Sequence, residues 1–274
     1  MVKRESGERH TSNITLWQGD CLKLMKDIPD GSVDLTVTSP PYDNLRTYNG
    51  NIDQWNFEKF QAIAKELYRI TADGGVVVWI VADATIKGSE TGTSFRQALW
   101  FMECGFNLHD TMIYQKANTL PLTHRRYEQS FEFMFVFSKG VPRTFNPILK
   151  LNKTYGEIRG GTHRISGSEL MRKNTIKSVK KKSQKINVWV YAVGKGGSTS
   201  DIDAFKHPAI FPESLANDHI ISWSNEGDTV FDPFMGSGTT GKMAKLLNRN
   251  FIGSELDQGY FDIAKQRIDN ARGG

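Results

Sequence analysis

Two short loops hold the residues of this chain best suited to chemistry. The first, TSPPYDNLRTYNG at 38–50, follows the apolar run VDLTVT. Its two successive prolines fix an extended backbone, so the Ser39 and Tyr42 side chains and the Pro40 carbonyl point in set directions. The Ser39 oxygen and the Pro40 carbonyl can both accept hydrogen bonds from one NH2 group, while Tyr42 offers a face for stacking a flat ligand. Taken alone, S-P-P-Y equally fits a strand ending in a proline turn. The second loop, FDPFMGSGTTGK at 231–242, lies between a strand pattern and a helical one. Gly236 and Gly238 permit a tight turn and close backbone approach to a ligand, and the helix start beyond offers free N–H groups. Glu255 follows Asp232 by 23 residues, at the end of the next strand pattern. An acid at that offset is how dinucleotide-type folds hold two ribose hydroxyls.

The stretch Gly236–Lys242 also spells the G-x-x-x-x-G-K of a phosphate-binding loop. Met243 stands where such a loop needs Ser or Thr for magnesium, and the loop precedes the penultimate strand instead of following an early one. A nucleoside-triphosphatase reading is therefore weak. A connection that merely packs would leave Asp232 and Glu255 unexplained.

The elements that must position these loops alternate along the chain. NITLWQGD, VDLTVTSP, GGVVVWIVAD, LHDTMIYQK, FEFMFVFSK, DTVFDPF and RNFIGSEL read as strands, several continuously apolar and so buried on both faces. Helical periodicity runs over 57–71, where Phe60, Ile63, Leu67 and Ile70 share a face, and over 94–104, 212–224, 239–247 and 260–272. The expected architecture is α/β, with a mainly parallel sheet, helices on both faces and ligands beyond the carboxyl ends of the strands. Residues 140–205 interrupt the alternation. They read as an insertion into a domain made of 12–139 and 206–274.

Composition bounds the function. The chain has 274 residues, 38% hydrophobic and 24% charged, which fits a soluble globular protein. Its N-terminal stretch is polar and its longest apolar run, VVVWIVA at 76–82, is far short of a membrane span, so a cytoplasmic protein with no membrane partner is expected. Cys21 and Cys104 are too few for a disulfide framework, and no ligand spacing or histidine cluster suggests a metal. Net charge is +5, but residues 139–195 carry 14 Lys and Arg against two acids, Glu157 and Glu169, so the remainder is net acidic. A basic segment on an acidic protein suits phosphate-backbone binding, through Arg172, Lys173 and the run Lys180, Lys181, Lys182; a solvated lysine-rich loop is the alternative. Arg125 and Arg126, beside His124, form a second basic cluster able to touch phosphate.

Together, TSPPY and DPFMGSGTT resemble the catalytic and cofactor motifs of the DNA amino-methyltransferases. With the catalytic tetrapeptide early, the basic module central and the cofactor loop late, the chain is similar to the beta class, a permuted member of the Rossmann-like methyltransferase fold. QGDCLKLM, ELYRITADGG, RRYEQSFEFMFVFSK and KHPAIFPESL extend the resemblance over nearly the whole chain. It implies S-adenosylmethionine as methyl donor and Ser39, Pro40, Pro41 and Tyr42 as the catalytic tetrapeptide. It also implies that Asp232, Phe234, Gly236, Ser237 and Gly238 wrap the methionine and adenosine and that Glu255 holds the ribose. Asp20 would lie by the adenine and His207 to Phe211 near the cofactor's amino-acid end. Residues 140–205 would be the target-recognition region.

The chemistry agrees with these residues. An exocyclic amine is a poor nucleophile because its lone pair is delocalised into the ring, and two acceptors holding its hydrogens favour a pyramidal nitrogen. There is no Pro-Cys pair, which argues against carbon-5 cytosine methylation. A duplex base must be flipped out to reach such a pocket, with Tyr42 as stacking platform and Arg46 and Tyr48 as contacts in the loop closing over it. Serine at the first tetrapeptide position resembles the cytosine-N4 enzymes; adenine-N6 is the second reading and RNA the third. A non-catalytic nucleic-acid binder would need neither the glycine loop nor Glu255. Double-stranded DNA is the expected partner, with a homodimer and a cognate restriction endonuclease left open.

Overall fold

The computed structural model of the chain describes residues 12–41, 55–118, 126–163, 173–206 and 210–272. In chain order the strands are β1 (Ile14–Gln18), β2 (Val33–Thr38), β3 (Thr71–Val81), the short pair β4 (Thr85–Ile86) and β5 (Ser89–Glu90), β6 (Asn107–Lys116), β7 (Phe131–Ser138), β8 (Leu149–Leu151), β9 (Ile158–His163), β10 (Lys173–Ser178), β11 (Lys182–Gln184), β12 (Val188–Tyr191), β13 (Thr229–Asp232) and β14 (Asn250–Glu255). The helices are α1 (Cys21–Leu24), α2 (Phe57–Ile70), α3 (Thr93–Glu103), α4 (Glu213–Trp223), α5 (Thr239–Leu246) and α6 (Gln258–Asn270). Residues through Asn146 together with those from Asn187 form one compact unit, and Pro147–Ile186 form a second.

The first unit is built on an eight-stranded sheet in the order β1-β14-β13-β2-β3-β7-β6-β12. Five of its seven neighbouring pairs are parallel; β7 alone runs against both its neighbours. The α/β architecture expected from the apolar runs is thus present. In β3, every residue from Val76 to Val81 is buried, so both faces of the sheet are covered. Val77, Trp79 and Val81 join Phe135 and Phe137 in a core with α2 and α3. On the other face Met134 of β7 meets His219 of α4, Nε2 to Sδ 3.2 Å.

Helix α2 shows how local sequence builds this. Asn56 caps it, its side chain accepting from the Lys59 N–H at 2.8 Å. Phe60, Ile63, Ala64, Leu67 and Ile70 form its buried face, and each large side chain contributes about 1.5–3 kcal/mol through burial.

Strand β12 lies within the span that composition marked as an insertion, yet it pairs in parallel with β6 in the main sheet. Its sequence VWVY alternates exposed and buried, with Trp189 and Tyr191 inward, as an edge strand requires. The second unit holds two antiparallel pairs, β8 with β11 and β9 with β10. The lysine run is fastened within it by its backbone: the Asn152 side chain donates to the Lys180 carbonyl at 2.7 Å and the Asn152 N–H to that of Lys181 at 3.0 Å. The side chains of Lys180, Lys181 and Lys182 are exposed.

Candidate active site

Strands β1, β14, β13 and β2 lie side by side and parallel, so their carboxyl ends emerge together. Each sends a loop into one cleft: Gly19 to Cys21 after β1, Glu255 to Asp257 at the end of β14, Pro233 to Ser237 after β13, and Ser39 with Pro41 after β2. This is the carboxyl-end crevice that parallel sheets offer to ligands. It brings the two loops of the sequence reading into one site.

The loop after β13 is folded by its own backbone needs. Gly236 and Gly238 have φ of 49° and 80°, the left-handed region that favours glycine. A Cβ at Gly238 would also sit 3.0 Å from Ala264 of α6, so the glycine lets α6 approach. The Gly236 N–H donates to Glu255 Oε2 at 2.9 Å, the Asp257 N–H to Glu255 Oε1 at 2.9 Å, and the Met235 N–H to the Ser254 carbonyl at 2.9 Å. Burial raises the Glu255 carboxyl above its ordinary pKa. Each of its oxygens retains a lone pair able to take a hydroxyl proton.

Phe234, Gly236, Ser237, Glu255, Asp20, Ser39 and Pro41 line the cleft. Asp232, Gly238 and Pro40 are not among its lining residues. Asp232 is 1% exposed, and its Oδ1 accepts from the Thr38 hydroxyl at 2.7 Å and the Phe234 N–H at 3.0 Å. Asp232 thus ties the residue before Ser39 to the glycine loop. Burial outweighs those two hydrogen bonds and pushes the carboxyl up to about 7. Asp20 caps α1 through the Leu22 N–H at 3.0 Å, and its other oxygen pairs with Lys59 Nζ at 3.0 Å.

Several lining residues carried no sequence signal. Trp55 sits edge-on to Phe234, ring centroids 5.4 Å apart, and Phe234 edge-on to Trp79 at 6.2 Å. Lys59, Asp257 and Tyr260 also line the cleft, brought there by α2 and α6. Cys21 faces it too, but burial pushes its thiol up to about 12, so it stays protonated and a poor nucleophile.

The phosphate-loop reading fails on Lys242. Its ammonium pairs with Asp201 Oδ2 at 2.7 Å and Glu213 Oε1 at 2.8 Å, and it does not line the cleft. Arg126 is engaged as well, with the Gly88 carbonyl and, at 3.5 Å, Glu90 of β5. Lys173 lies in β10 opposite His163. Tyr42, Arg46, Tyr48, Arg125, Arg172 and His207 lie outside the described residues. Among the described residues no helix is long and apolar enough to cross a membrane.

Comparison with known proteins agrees with this geometry. The orphan methyltransferase M.BamHII of Bacillus amyloliquefaciens is 54% identical over 251 residues, covering 90% of this chain and 92% of that protein. The type II methyltransferase M.HinfI of Haemophilus influenzae is 28% identical, covering 93% of this chain and 68% of its own length. Among solved structures, the cytosine-N4-specific PvuII DNA methyltransferase superposes with a TM-score of 0.69 at 22% identity, over 94% of this chain and 87% of that one. M1.HpyAVI in complex with SAM does so at 0.63 and 25%, over 93% and 99%. The family model of the N6/N4 DNA methylases matches residues 33–266, and the chain belongs to that family.

Proposed function

We propose that this protein transfers a methyl group from S-adenosylmethionine to the exocyclic N4 of cytosine in duplex DNA, after flipping the base out of the helix. The observation that carries the reading is that Ser39, at the end of β2, lines the same cleft as Gly236 and Glu255. The donor set suits the cofactor. Asp20, Glu255 and Asp257 line the cleft against the one cation Lys59 among its described residues, which favours a ligand bearing sulfonium and ammonium charge. Glu255 would take the ribose hydroxyls, and Phe234, Trp55 and Tyr260 supply flat apolar surface for an adenine.

When bound, the sulfonium supplies an electrophilic methyl, so no covalent enzyme intermediate is needed. Ser39 Oγ accepts one amine hydrogen and the carbonyl of Pro40, a residue whose neighbours on both sides line the cleft, accepts the other, orienting the nitrogen lone pair and stabilising the charge that develops as the N–C bond forms. The proton that the methylated nitrogen must then lose passes to water. Tyr42 stacks on the flipped base, with Arg46 and Tyr48 beside it. A cytoplasmic setting follows from the DNA substrate.

Adenine N6 is the second reading, because the family to which the chain belongs includes both amines. Incubation with S-adenosylmethionine and unmethylated duplex of mixed sequence, followed by digestion and mass spectrometry of the nucleosides, decides between them. N4-methylcytosine is the expected product, and N6-methyladenine would transfer the assignment to the second reading. Neither product, with cofactor bound, would overturn the duplex-DNA assignment.

The second unit is the proposed DNA-contacting region, through Arg172, Lys173 and the exposed lysine run, with Arg125 and Arg126 as further phosphate contacts. Replacing Lys180, Lys181 and Lys182 with Ala is expected to weaken duplex binding. It should also flatten the dependence of log K on log salt by roughly 2–3, about 0.9 for each phosphate no longer neutralised. Cofactor affinity should be unchanged. Salt titration of fluorescent duplex binding measures both, and an unaltered slope would place the phosphate-binding groups elsewhere.

A further inference from the structure

Four charged side chains that the methyl-transfer reading does not use gather beside the loop between β13 and α5. Arg267 of α6, its side chain 4% exposed, donates from Nε to Asp201 Oδ2 at 3.1 Å and from Nη2 to Glu213 Oε1 at 2.8 Å. Lys242 of α5 pairs with the same two oxygens, at 2.7 and 2.8 Å, and the Thr199 hydroxyl donates to Glu213 Oε1 at 2.6 Å. Two cations thus balance two carboxylates. The third nitrogen of Arg267, Nη1, donates to the Ser237 carbonyl and, at 3.1 Å, to the Ser237 hydroxyl. Ser237 is 4% exposed and lines the cofactor cleft.

Taking such a group partly out of water is costly, most of all for Arg267, and packed apolar side chains of similar volume are often at least as stabilising, so stability alone is a weak reason for it. Its geometry supplies another reason. Asp201 and Glu213 stand at either end of the stretch that brings Ile210 and Phe211 to the cleft, while Ser237 belongs to the glycine loop. One planar, forked guanidinium spans both, which a lysine ammonium cannot do at fixed angles. Thr199 and Lys242 leave the two carboxylates little freedom to follow a shorter side chain.

We propose that Arg267 is a positioning residue for the cofactor: anchored on Asp201 and Glu213, it holds Ser237 at the spacing from Ile210 and Phe211 that the cofactor requires. The inference rests on the reading of the cleft as an S-adenosylmethionine site. Its test is calorimetric binding of S-adenosylmethionine and of S-adenosylhomocysteine to the full chain, beside duplex affinity and thermal midpoint. The wild type is measured first, and absence of binding there would remove the cofactor reading and this proposal with it.

Given binding, Arg267→Lys keeps a cation for the carboxylates but loses the fork. Cofactor Kd should then rise about tenfold, the loss expected of a charge-assisted hydrogen bond. Duplex affinity and kcat at saturating cofactor should stay near wild type. A merely structural arginine would instead lower the thermal midpoint and leave cofactor Kd unchanged in the folded protein, which would overturn the proposal. Should Arg267→Lys not fold, Glu213→Gln weakens the anchor with the guanidinium still in place, and the same comparison applies: raised cofactor Kd supports the proposal, an unchanged one overturns it.

Discussion

Ser39→Ala is expected to cut methyl transfer by about 10²–10³-fold, the cost typical of removing one preorganised hydrogen-bonding group from a reacting centre, while cofactor affinity stays near wild type. The residue stands at the end of β2, all of whose residues but Asp34 are buried, and the adjoining Thr38 is fastened to Asp232. That bond and the burial of β2 hold the end of the strand in the alanine variant as well. One acceptor, the Pro40 carbonyl, would remain for two amine hydrogens. Single-turnover transfer of labelled methyl groups, with calorimetric binding of S-adenosylmethionine, separates chemistry from binding. Unchanged turnover would remove Ser39 from the reaction.

Asp232 is expected to act through the fold of the site. Asp232→Ala leaves the buried Thr38 hydroxyl and the Phe234 N–H without their acceptor, at about 1–3 kcal/mol for each donor left unsatisfied. Both the thermal midpoint and cofactor affinity should fall. Asp232→Asn keeps an acceptor oxygen and isolates the charge. Burial moves this carboxyl from an ordinary 3.8 to about 7, so the folded chain holds the proton more tightly than the unfolded one. The stability this gives is complete below the ordinary value and is lost as pH rises through the raised one. Without ligand, the wild-type thermal midpoint should fall between about pH 4 and 7, and the Asn variant should fall less. Glu255, also raised by burial, adds the same sign, so part of the slope remains in the variant. Equal slopes in the two proteins would mean that Asp232 is ionised in the fold throughout that range.

What the sequence made legible follows the length scale of each signal. Continuous apolar runs mark β2, β3 and β7 because both sheet faces are covered, and α2 ends within one residue of its periodic pattern. Strand β12 escaped because its four residues sit inside a basic stretch whose composition masks a short alternation. Gly236 and Glu255, singled out by local pattern, are joined by a hydrogen bond and line one cleft. The family resemblance assigned Asp232 to the cofactor; its hydrogen bond from Thr38, which comes from β2, far away in the chain, carried no local signal. Lys59 and Tyr260 reach the cleft through helix packing, and Trp55 through the segment just before α2, so no spacing announces them. The same holds for Arg267, whose partners come from three other segments. Lys242 completed a local motif by coincidence, and its two carboxylate partners explain it instead.

The pairing of β1 with β14 has a bearing on when the enzyme becomes competent. Ile14 to Gln18 register with Phe251 to Glu255, and the Gly19 N–H donates to the Glu255 carbonyl at 2.8 Å. The rim carrying Asp20 is thus closed by a strand made more than two hundred residues later. Non-local closure of this kind comes late, since loop entropy must be overcome before the pairing forms. A nascent chain still short of β14 lacks Glu255 and has no partner for its first strand. The loops that follow β1 and β13, whose Gly19 and Gly236 N–H groups both donate to Glu255, are left without that shared anchor until synthesis has passed the last strand.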